Sequence, residues 1–412
     1  MEGQTLTEAI VAKATDLSKC RRQFLSHILM LFLSVRHRVN FSQLSRHSEQ
    51  YCDRTIRLHF ERHVDFAAIN RELIHQHGSG HFLLALDPTY LPKSGKKTPG
   101  LSRYCGAARR SGSAQKALWG LEVSLLSVID VEHRTAWHRR AAPLDAVQTP
   151  DHDERQSKDI SLIDHYAQVV LWQAQQCQQL SGYLAVDAYF AKASFIDRIC
   201  DSTELHLVSR LRQDARLRYL YTGPKASGRG RPRQYGGRID FSRLDFEYFA
   251  LSYQDSELRI YSAVVNCPFL KRNVRVAYTQ YLNAASLPTH YKLYFSTDLN
   301  LPAWLIVKYY RLRYQQEFLI RDAKQFTGLT DCQARSINKV GYHLNTALTA
   351  VNVAKVEQGV KAEEPFSMAD VKTLYHNRLL LDRFISILPK GVEVDKNHPE
   401  IQELYQLGCK AA

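Results

Sequence analysis

The stretch FLLALD, residues 82–87, is a short apolar run of strand length that ends in a carboxylate. A Gly-Ser-Gly break precedes it, and a loop rich in Pro, Gly and Lys, PTYLPKSGKKTPG, follows it. Short apolar runs bounded by turn-forming residues are typical of buried strands. The sequence therefore predicts a buried strand that ends at Asp87.

A second segment of the same kind, YLAVDAYF at residues 183–190, carries Asp187 at the end of its apolar run. Between the two segments, residues 117–130 have strand character, and an amphipathic helix is predicted from about Ser157 to Leu180. Strands that alternate with helices indicate an α/β fold. Two carboxylates are thus expected at the ends of buried strands.

Residues 211–296 alternate apolar and polar side chains, as in FEYFALSY and LRIYSAVVN, which predicts a β-rich insertion. The helical period returns after Pro302 in AWLIVKYYRLRYQQEFLIRDAKQF. Proline near the start of such a segment suits a helix N-terminus. This stretch is predicted to form one helix, and Glu317 is the third acid of interest.

Four polar residues of that predicted helix, Tyr310, Arg313, Glu317 and Lys324, are spaced by three, four and seven residues. At about 3.6 residues per turn, this spacing places them in one stripe along the helix. A solvated surface helix, with Glu317 paired to Arg313 or Arg321, is the alternative interpretation.

Asp87, Asp187 and Glu317 have the chemistry that metal-dependent phosphodiester cleavage requires. Such cleavage uses two divalent cations about 4 Å apart, and hard cations prefer oxygen ligands. Any one of these acids alone is more often a cap or a surface ion-pair partner. Together they predict a site for two Mg²⁺ ions, with Mn²⁺ able to substitute.

The segment YRLRYQQEFLIRDAK, residues 310–324, resembles the Tyr-Arg-Glu-Lys signature of the insertion-sequence-4 family of DDE transposases. The likeness extends to ALDPTYLPKSG and AVDAYFAK around the first two acids and covers roughly residues 80–350. It implies an RNase H-like catalytic core, interrupted by a β-rich insertion, that performs cut-and-paste transposition. The implied steps are cleavage at the terminal inverted repeats and joining of the freed 3′-hydroxyl to target DNA.

The same resemblance implies individual roles for residues. Asp87, Asp187 and Glu317 would be the catalytic metal ligands, whereas Tyr310, Arg313 and Lys324 would hold DNA phosphates near the cut. Some family members pass through a DNA hairpin that is stabilised by an aromatic side chain. Tyr291 and Tyr294 are conceivable stacking residues, with a role in the core of a strand as the alternative.

These patterns and the resemblance together divide the chain into five parts. The predicted parts are a helical DNA-binding domain at 1–78, a first part of the catalytic core at 79–210, the β-rich insertion at 211–296, a core region carrying the Glu at 297–353, and a helical C-terminal region for dimerisation at 354–412.

Residues 40–66 divide into a short helix, a turn and a second helix, which makes them a candidate helix-turn-helix. The second helix is predicted to begin with Asp53 as N-cap and to present Arg54 and Arg57 to DNA. Its inward side chains are predicted to be Ile56, Phe60 and Leu58. A packing domain that does not touch DNA is the alternative.

The chain has 55 Lys and Arg against 41 Asp and Glu, a formal net charge of +14, which favours a polyanionic partner. The segment PKASGRGRPRQYGGR resembles an AT-hook core, which enters the minor groove of DNA. A basic surface without such a role is the alternative. The predicted DNA contacts from these segments are Arg229, Arg231 and Arg233 in the Gly-Arg stretch, Lys93, Lys96 and Lys97 after the first strand, and Arg109 and Arg110 in the next loop.

The longest early apolar run, HILMLFLSV, is too short for a membrane span, and no cleavable signal precedes it. We therefore expect a cytoplasmic, nucleoid-associated protein with double-stranded DNA as partner, a homodimer when two DNA ends are paired, and no membrane or small-molecule partner. The eight cysteines lack zinc-ligand spacing. Two alternatives remain: an RNase H-like nuclease without strand transfer, and an inactive transposase-derived DNA-binding protein.

Overall fold

The coordinates form a computed structural model, and it describes residues 7–9, 11–12, 16–105, 117–132, 141–224, 232–359, 366–389 and 392–410. The chain divides into two units. Unit 1 comprises Met1–Gly80, Pro88–Asp159 and Gln315–Ala412, and unit 2 comprises His81–Asp87 and Ile160–Tyr314.

The helices of the described ranges are numbered in chain order. They are α1 (Lys19–Ser34), α2 (Phe41–His47), α3 (Asp53–His59), α4 (Phe66–His77), α5 (His152–Ser157), α6 (Leu162–Trp172), α7 (Ala174–Leu180), α8 (Ala193–Ser202), α9 (Ala303–Leu312), α10 (Gln315–Phe326), α11 (Ile337–Gly359), α12 (Met368–Ser386) and α13 (Pro399–Gln406).

The strands follow the same convention. They are β1 (Phe82–Pro92), β2 (Ser102–Cys105), β3 (Ala117–Asp130), β4 (Ala141–Gln148), β5 (Tyr183–Val186), β6 (His206–Leu211), β7 (Arg218–Leu220), β8 (Tyr235–Arg238), β9 (Ala250–Gln254), β10 (Leu258–Cys267), β11 (Arg272–Leu282) and β12 (Pro288–Ser296).

Unit 1 packs helices against an antiparallel set of strands. β3 pairs with β2 on one side and with β4 on the other, while α4, α10 and α11 pack on β4. The buried Asn345 of α11 donates to the backbone oxygen of Ala146 and accepts from its backbone nitrogen, at 2.9 and 3.0 Å. Because a buried backbone group without a partner is costly, this amide fixes α11 against β4.

Unit 2 is built on a mixed sheet. The first part of β1 pairs in parallel with β5, and β5 pairs in parallel with β6. From β6 onward the order is β12, β11 and β10, all antiparallel, and β7 and β9 both pair with β10. The β-rich region therefore joins the sheet that carries the parallel strands. The α/β class predicted from sequence is confirmed.

The parallel strands of unit 2 have almost continuous apolar burial. Leu84 and Leu86 of β1, and Leu184 and Val186 of β5, have no solvent-exposed surface. Such runs are typical of parallel strands covered on both faces, and each buried aliphatic side chain contributes about 1.5–3 kcal/mol. This packing fixes the alignment of the two strands that carry Asp87 and Asp187.

The long helix predicted over 157–180 is wrong in its extent. Helix α5 ends at Ser157, a new helix α6 begins after Ser161, and α7 follows from Ala174. Ser161 and Asp164 form a reciprocal capping box, in which each side chain accepts from the other residue's backbone nitrogen. This capping box marks the start of α6 as a separate helix.

None of the helices in the described part of the chain is both long and apolar enough to cross a membrane. The cysteines whose side chains the structure describes are free thiols.

Candidate active site

Asp87 and Asp187 lie at matching positions on neighbouring parallel strands. The register pairs Leu84 with Leu184 and Leu86 with Val186, so each carboxylate follows the last matched pair by one residue. Adjacent strands lie about 4.8 Å apart, and residues in register on parallel strands share a face of the sheet. Unit 2 therefore brings these two carboxylates side by side.

The prediction that the first strand ends at Asp87 is wrong. β1 runs on through Pro88 to Pro92, so Asp87 lies inside the strand, whereas β5 does end at Val186, directly before Asp187. Proline removes one backbone donor but keeps an extended backbone. The turn-forming composition after Asp87 therefore failed to mark the end of the strand.

Two side chains from the C-terminal end of unit 2 contact the two carboxylates. The Tyr310 hydroxyl donates to Asp187 Oδ1 at 3.0 Å, and Arg313 Nη1 donates to Asp87 Oδ2 at 3.2 Å. The side chains of Arg313 and Asp87 are only 12% and 25% exposed. Burial, together with the charge of Asp187, raises the pKa of Tyr310 to about 12, so Tyr310 is a protonated hydrogen-bond donor at neutral pH.

Tyr310 is itself held by a network that sequence reasoning missed. Its ring lies 5.1 Å from that of the buried Tyr294, whose hydroxyl is 3.1 Å from the Tyr281 hydroxyl. Arg311 donates to Tyr281 at 3.3 Å. No spacing rule could have found Tyr281, because antiparallel pairing of β11 with β12 brings it to this place.

The single helix predicted after Pro302 is wrong. Helix α9 ends at Leu312, residues 313–314 form a turn, and α10 begins at Gln315. The Tyr314 backbone nitrogen bonds to Arg311 O at 3.2 Å, a three-residue spacing that interrupts the regular α-helical ladder. The four signature residues are therefore divided between two helices and the turn that joins them.

Glu317 and Lys324 lie on α10 and belong to unit 1. Glu317 is exposed, and the Lys324 ammonium donates to Thr89 Oγ1 at 2.9 Å and to Tyr90 O at 2.8 Å. Burial lowers the pKa of Lys324. Among the residues the structure describes, no group of three or more His, Cys, Asp or Glu is arranged to hold a metal ion.

The residues of unit 2 nevertheless fit a divalent cation. Two adjacent carboxylates repel each other unless positive charge or hydrogen-bond donors compensate them, and Arg313 and Tyr310 supply both. Carboxylate oxygens are also the ligands that Mg²⁺ prefers. A cation bound here would also offset the repulsion between the two carboxylates. The two aspartates are therefore suitable as two ligands of a metal site.

The candidate helix-turn-helix consists of α2 and α3. Asn40 caps α2, since its side chain accepts from Gln43 N at 3.0 Å. The predicted N-cap of the second helix is wrong by one residue, because Cys52 is the cap and Asp53 forms an ion pair with Arg57 at 2.5 Å.

The packing of α3 agrees only in part with prediction. Ile56 and Phe60 are fully buried, but Leu58, predicted to face inward, is 57% exposed. Arg54 and Arg57 are both exposed. Helix α3 therefore packs through one narrow side and leaves its arginines at the surface.

The other predicted DNA contacts differ in how exposed their side chains are. Lys96 is exposed, whereas the half-buried Lys93 donates to the backbone oxygens of Thr330 and Cys332 at 2.6 and 2.8 Å. Arg233 is exposed and lies over the Tyr221 ring at 4.9 Å. The predicted contacts Arg229 and Arg231, and the loop residues Arg109 and Arg110, lie outside the described residues.

Comparison with known families identifies the class of enzyme. The family described as DDE superfamily endonuclease matches residues 19–247, which is more than half of the chain, and the family described as transposase DDE domain matches residues 151–353. The chain belongs to the DDE superfamily of endonucleases. More narrowly, it is a DDE-type transposase, an enzyme class that acts on DNA and uses a divalent metal ion, typically Mg²⁺. A search of curated proteins found no significant match.

Proposed function

We propose that this chain is a cut-and-paste transposase of the insertion-sequence-4 family, which cleaves the terminal inverted repeats of its element and joins the freed 3′-hydroxyl to target DNA. The observation that carries the proposal is the side-by-side placement of Asp87 and Asp187, with Tyr310 and Arg313 in contact with them. Of the four signature residues, Tyr310 lies in the last turn of α9, Arg313 in the turn that joins α9 to α10, and Glu317 in the first turn of α10.

The proposed metal ligands are Asp87, Asp187 and Glu317, which would hold two Mg²⁺ ions or two Mn²⁺ ions. When bound, such ions activate the attacking oxygen and stabilise the leaving oxygen of the phosphodiester. In this proposal the two aspartates of unit 2 are held in place by Tyr310 and Arg313.

The protein's own residues hold the aspartate carboxylates in place and can orient a DNA phosphate. Arg313 and Tyr310 keep the two aspartate carboxylates in fixed directions, and both can also donate to a phosphate oxygen of DNA. Because the pKa of Tyr310 is raised to about 12, Tyr310 acts as a donor and not as a base. Lys324 is proposed as a third phosphate contact, held in direction by Thr89 and Tyr90.

The predicted parts of the chain also have proposed roles. Residues 79–210 and 297–353 would form an RNase H-like core around the β-rich insertion 211–296. Residues 1–78 would bind DNA through Arg54 and Arg57, and residues 354–412 would serve dimerisation of a cytoplasmic, nucleoid-associated protein. Further proposed DNA contacts are Lys93, Lys96, Arg229, Arg231 and Arg233.

The test is cleavage and strand transfer on DNA that carries the element's own ends, with Mg²⁺ present. Asp187→Asn and Glu317→Gln are the informative variants. Asp214→Asn is a matched control, because Asp214 is an exposed carboxylate in a turn of unit 2. We expect joined products from the wild type and the control, and none from the other two variants.

Other outcomes separate the alternatives. Cleavage without joined products would indicate a nuclease that does not transfer strands. Binding of the ends without cleavage by the wild type would indicate an inactive DNA-binding protein. Unchanged cleavage by Asp187→Asn and Glu317→Gln would show that the proposed ligands are wrong.

A further inference from the structure

None of the proposed metal ligands lines a large cavity in unit 1, although some of the DNA contacts predicted from sequence do: Arg57, Lys93, Lys96 and Lys97. Its volume is about 1190 Å³, which exceeds the range of about 300–1,000 Å³ that small-molecule pockets occupy. Its walls come from the start of α2 and the end of α3, from the loop after β1, and from residues 330–339 before and within α11. We name it the basic cavity, because among its lining side chains in the described ranges seven are Lys or Arg and two, Glu61 and Asp331, are acidic.

Polar contacts join the three walls of the basic cavity. Lys93 of the loop after β1 donates to the carbonyl oxygens of Thr330 and Cys332. Asp331, between them, accepts from the backbone nitrogen of Val39 at 2.9 Å. The loop, the start of α2 and the segment before α11 are thus held together, and the lining cations start from fixed backbone positions.

The end of α3 is fixed to α11 in the same manner. Glu61 accepts from Ser336 at 2.6 Å and forms an ion pair with Lys339 at 2.8 Å. Both acids of the basic cavity are therefore already engaged with other walls of the cavity. Even with both carboxylates counted, the seven cations leave the described lining with a net positive charge.

Four of the seven cations remain uncompensated. Arg57 is paired with Asp53, Lys339 with Glu61, and Lys93 is bonded to carbonyl oxygens. The four exposed side chains with no ion pair or hydrogen bond to any residue in the described ranges are Arg38, Lys96, Lys97 and Arg335. Like charges gathered in one concave surface raise the local concentration of an anionic partner.

We propose that the basic cavity binds the phosphate backbone of double-stranded DNA, without regard to base sequence, through Arg38, Lys96, Lys97 and Arg335. This inference rests on the proposed function for its choice of polyanion. Lys and Arg are the usual phosphate contacts, and several separate point charges suit a polymer with repeated charges better than one small anion. Lys93 also positions the Lys96–Lys97 loop through its bonds to the carbonyl oxygens of Thr330 and Cys332.

The test is equilibrium binding of the full chain to two duplexes of equal length, one from the element's ends and one of unrelated sequence, in chelator so that no cleavage occurs. The cavity variant is Lys96→Gln with Lys97→Gln. The matched control is Arg212→Gln with Lys410→Gln, which removes two exposed positive charges elsewhere. Thermal unfolding of each protein checks that it is folded.

Each phosphate contact adds about one to the slope of log affinity against log salt concentration. We expect the cavity variant to lower that slope by about two and to lower affinity about 100-fold at 0.1 M salt, equally for both duplexes. We expect the control to lower the slope by less than about one and the affinity by less than about tenfold.

Affinity and slope like those of the control would overturn the proposal, as would a loss confined to the element's ends, which would mean base-specific contact. Adding Arg335→Gln should lower the slope by about one more, and no further change would also count against the proposal. Because binding is measured without cleavage, these outcomes do not depend on whether the enzyme joins DNA. Failure of the strand-transfer test would leave this result standing.

Discussion

The ion pair between Arg313 and Asp87 should contribute more to stability when no divalent cation is present than when one is. Replacing Arg313 with Met removes the guanidinium but keeps most of the aliphatic volume. Asp87 would then keep its carboxylate neighbour Asp187 without the positive charge that compensates the pair. A bound divalent cation would supply that compensation instead.

The magnitude follows from the burial of the pair. Exposed ion pairs contribute about 0–1 kcal/mol, whereas removing one partner of a fully buried pair costs about 3–5 kcal/mol. Side chains that are 12% and 25% exposed fall between these limits, so we expect a loss of about 2 kcal/mol in the free energy of unfolding. For units of 150–250 residues this corresponds to a fall of about 4–8 °C in Tm.

The assay is calorimetric or fluorescence-detected unfolding in chelator and again in Mg²⁺. Arg272→Met is the control, because Arg272 of β11 pairs with Asp197 in the same unit, and β12 and β6 lie between β11 and β5 in the sheet. We expect Mg²⁺ to reduce the Tm deficit of Arg313→Met and to leave that of Arg272→Met unchanged. A deficit in Arg313→Met that Mg²⁺ does not reduce would refute the reasoning, and so would the absence of any deficit in chelator.

Three further predictions concern single side chains. Tyr310→Phe keeps the ring but loses the hydrogen bond to Asp187, so strand transfer should slow about tenfold. The ratio of the variant rate to the wild-type rate should stay constant from pH 7 to pH 10, because the pKa of Tyr310 is raised to about 12. Lys93→Met should lower the free energy of unfolding in urea by about 2 kcal/mol, whereas Lys97→Met, at an exposed position, should change it by less than about 0.5 kcal/mol. Burial lowers the pKa of Lys372 from 10.5 to about 7, so the unfolded chain binds the proton more tightly, and stability should rise between pH 7 and pH 10 in the wild type but much less in Lys372→Met.

Each of these has a clear contrary result. A Tyr310→Phe defect that disappears at high pH would mean that the hydroxyl titrates in that range. Equal unfolding free energies for the Lys93 and Lys97 variants would show that the carbonyl contacts of Lys93 contribute nothing measurable. A stability profile of Lys372→Met parallel to that of the wild type would assign the pH dependence to another group.

Sequence alone was sufficient to select the elements that carry the two aspartates. Both segments are short apolar runs of strand length followed by an acid, and that pattern has a direct physical cause in burial on both faces of a parallel sheet. What the pattern could not supply was their alignment. Only the register of β1 with β5 makes Asp87 and Asp187 neighbours, and register depends on packing across strands that lie far apart along the chain.

The ends of strands and helices were harder to predict than the elements themselves. Turn-forming residues occurred where a strand continues, and they were missing where a helix ends. Pro88 and the turn-rich loop after it indicated the end of a strand, yet β1 continues to Pro92. The stretch from Ala303 to Phe326 contains neither Gly nor Pro, yet it divides at residues 313–314. In the first place, hydrogen bonding of β1 to the neighbouring strand β3 outweighs the preferences of single residues.

The break at residues 313–314 bears on how the signature spacing should be understood. A stripe on one straight helix would require only helical periodicity, and many solvated helices satisfy it by chance. In the structure, Tyr310 is in the last turn of α9, Arg313 in the turn that follows, and Glu317 in the first turn of α10. Tyr310 and Arg313 each reach a different aspartate from this short segment. The two aspartate contacts therefore explain the Tyr310–Arg313 spacing better than a helical stripe does. Insertion of one residue between Arg313 and Glu317 should abolish strand transfer while the contacts of Tyr310 and Arg313 in unit 2 persist.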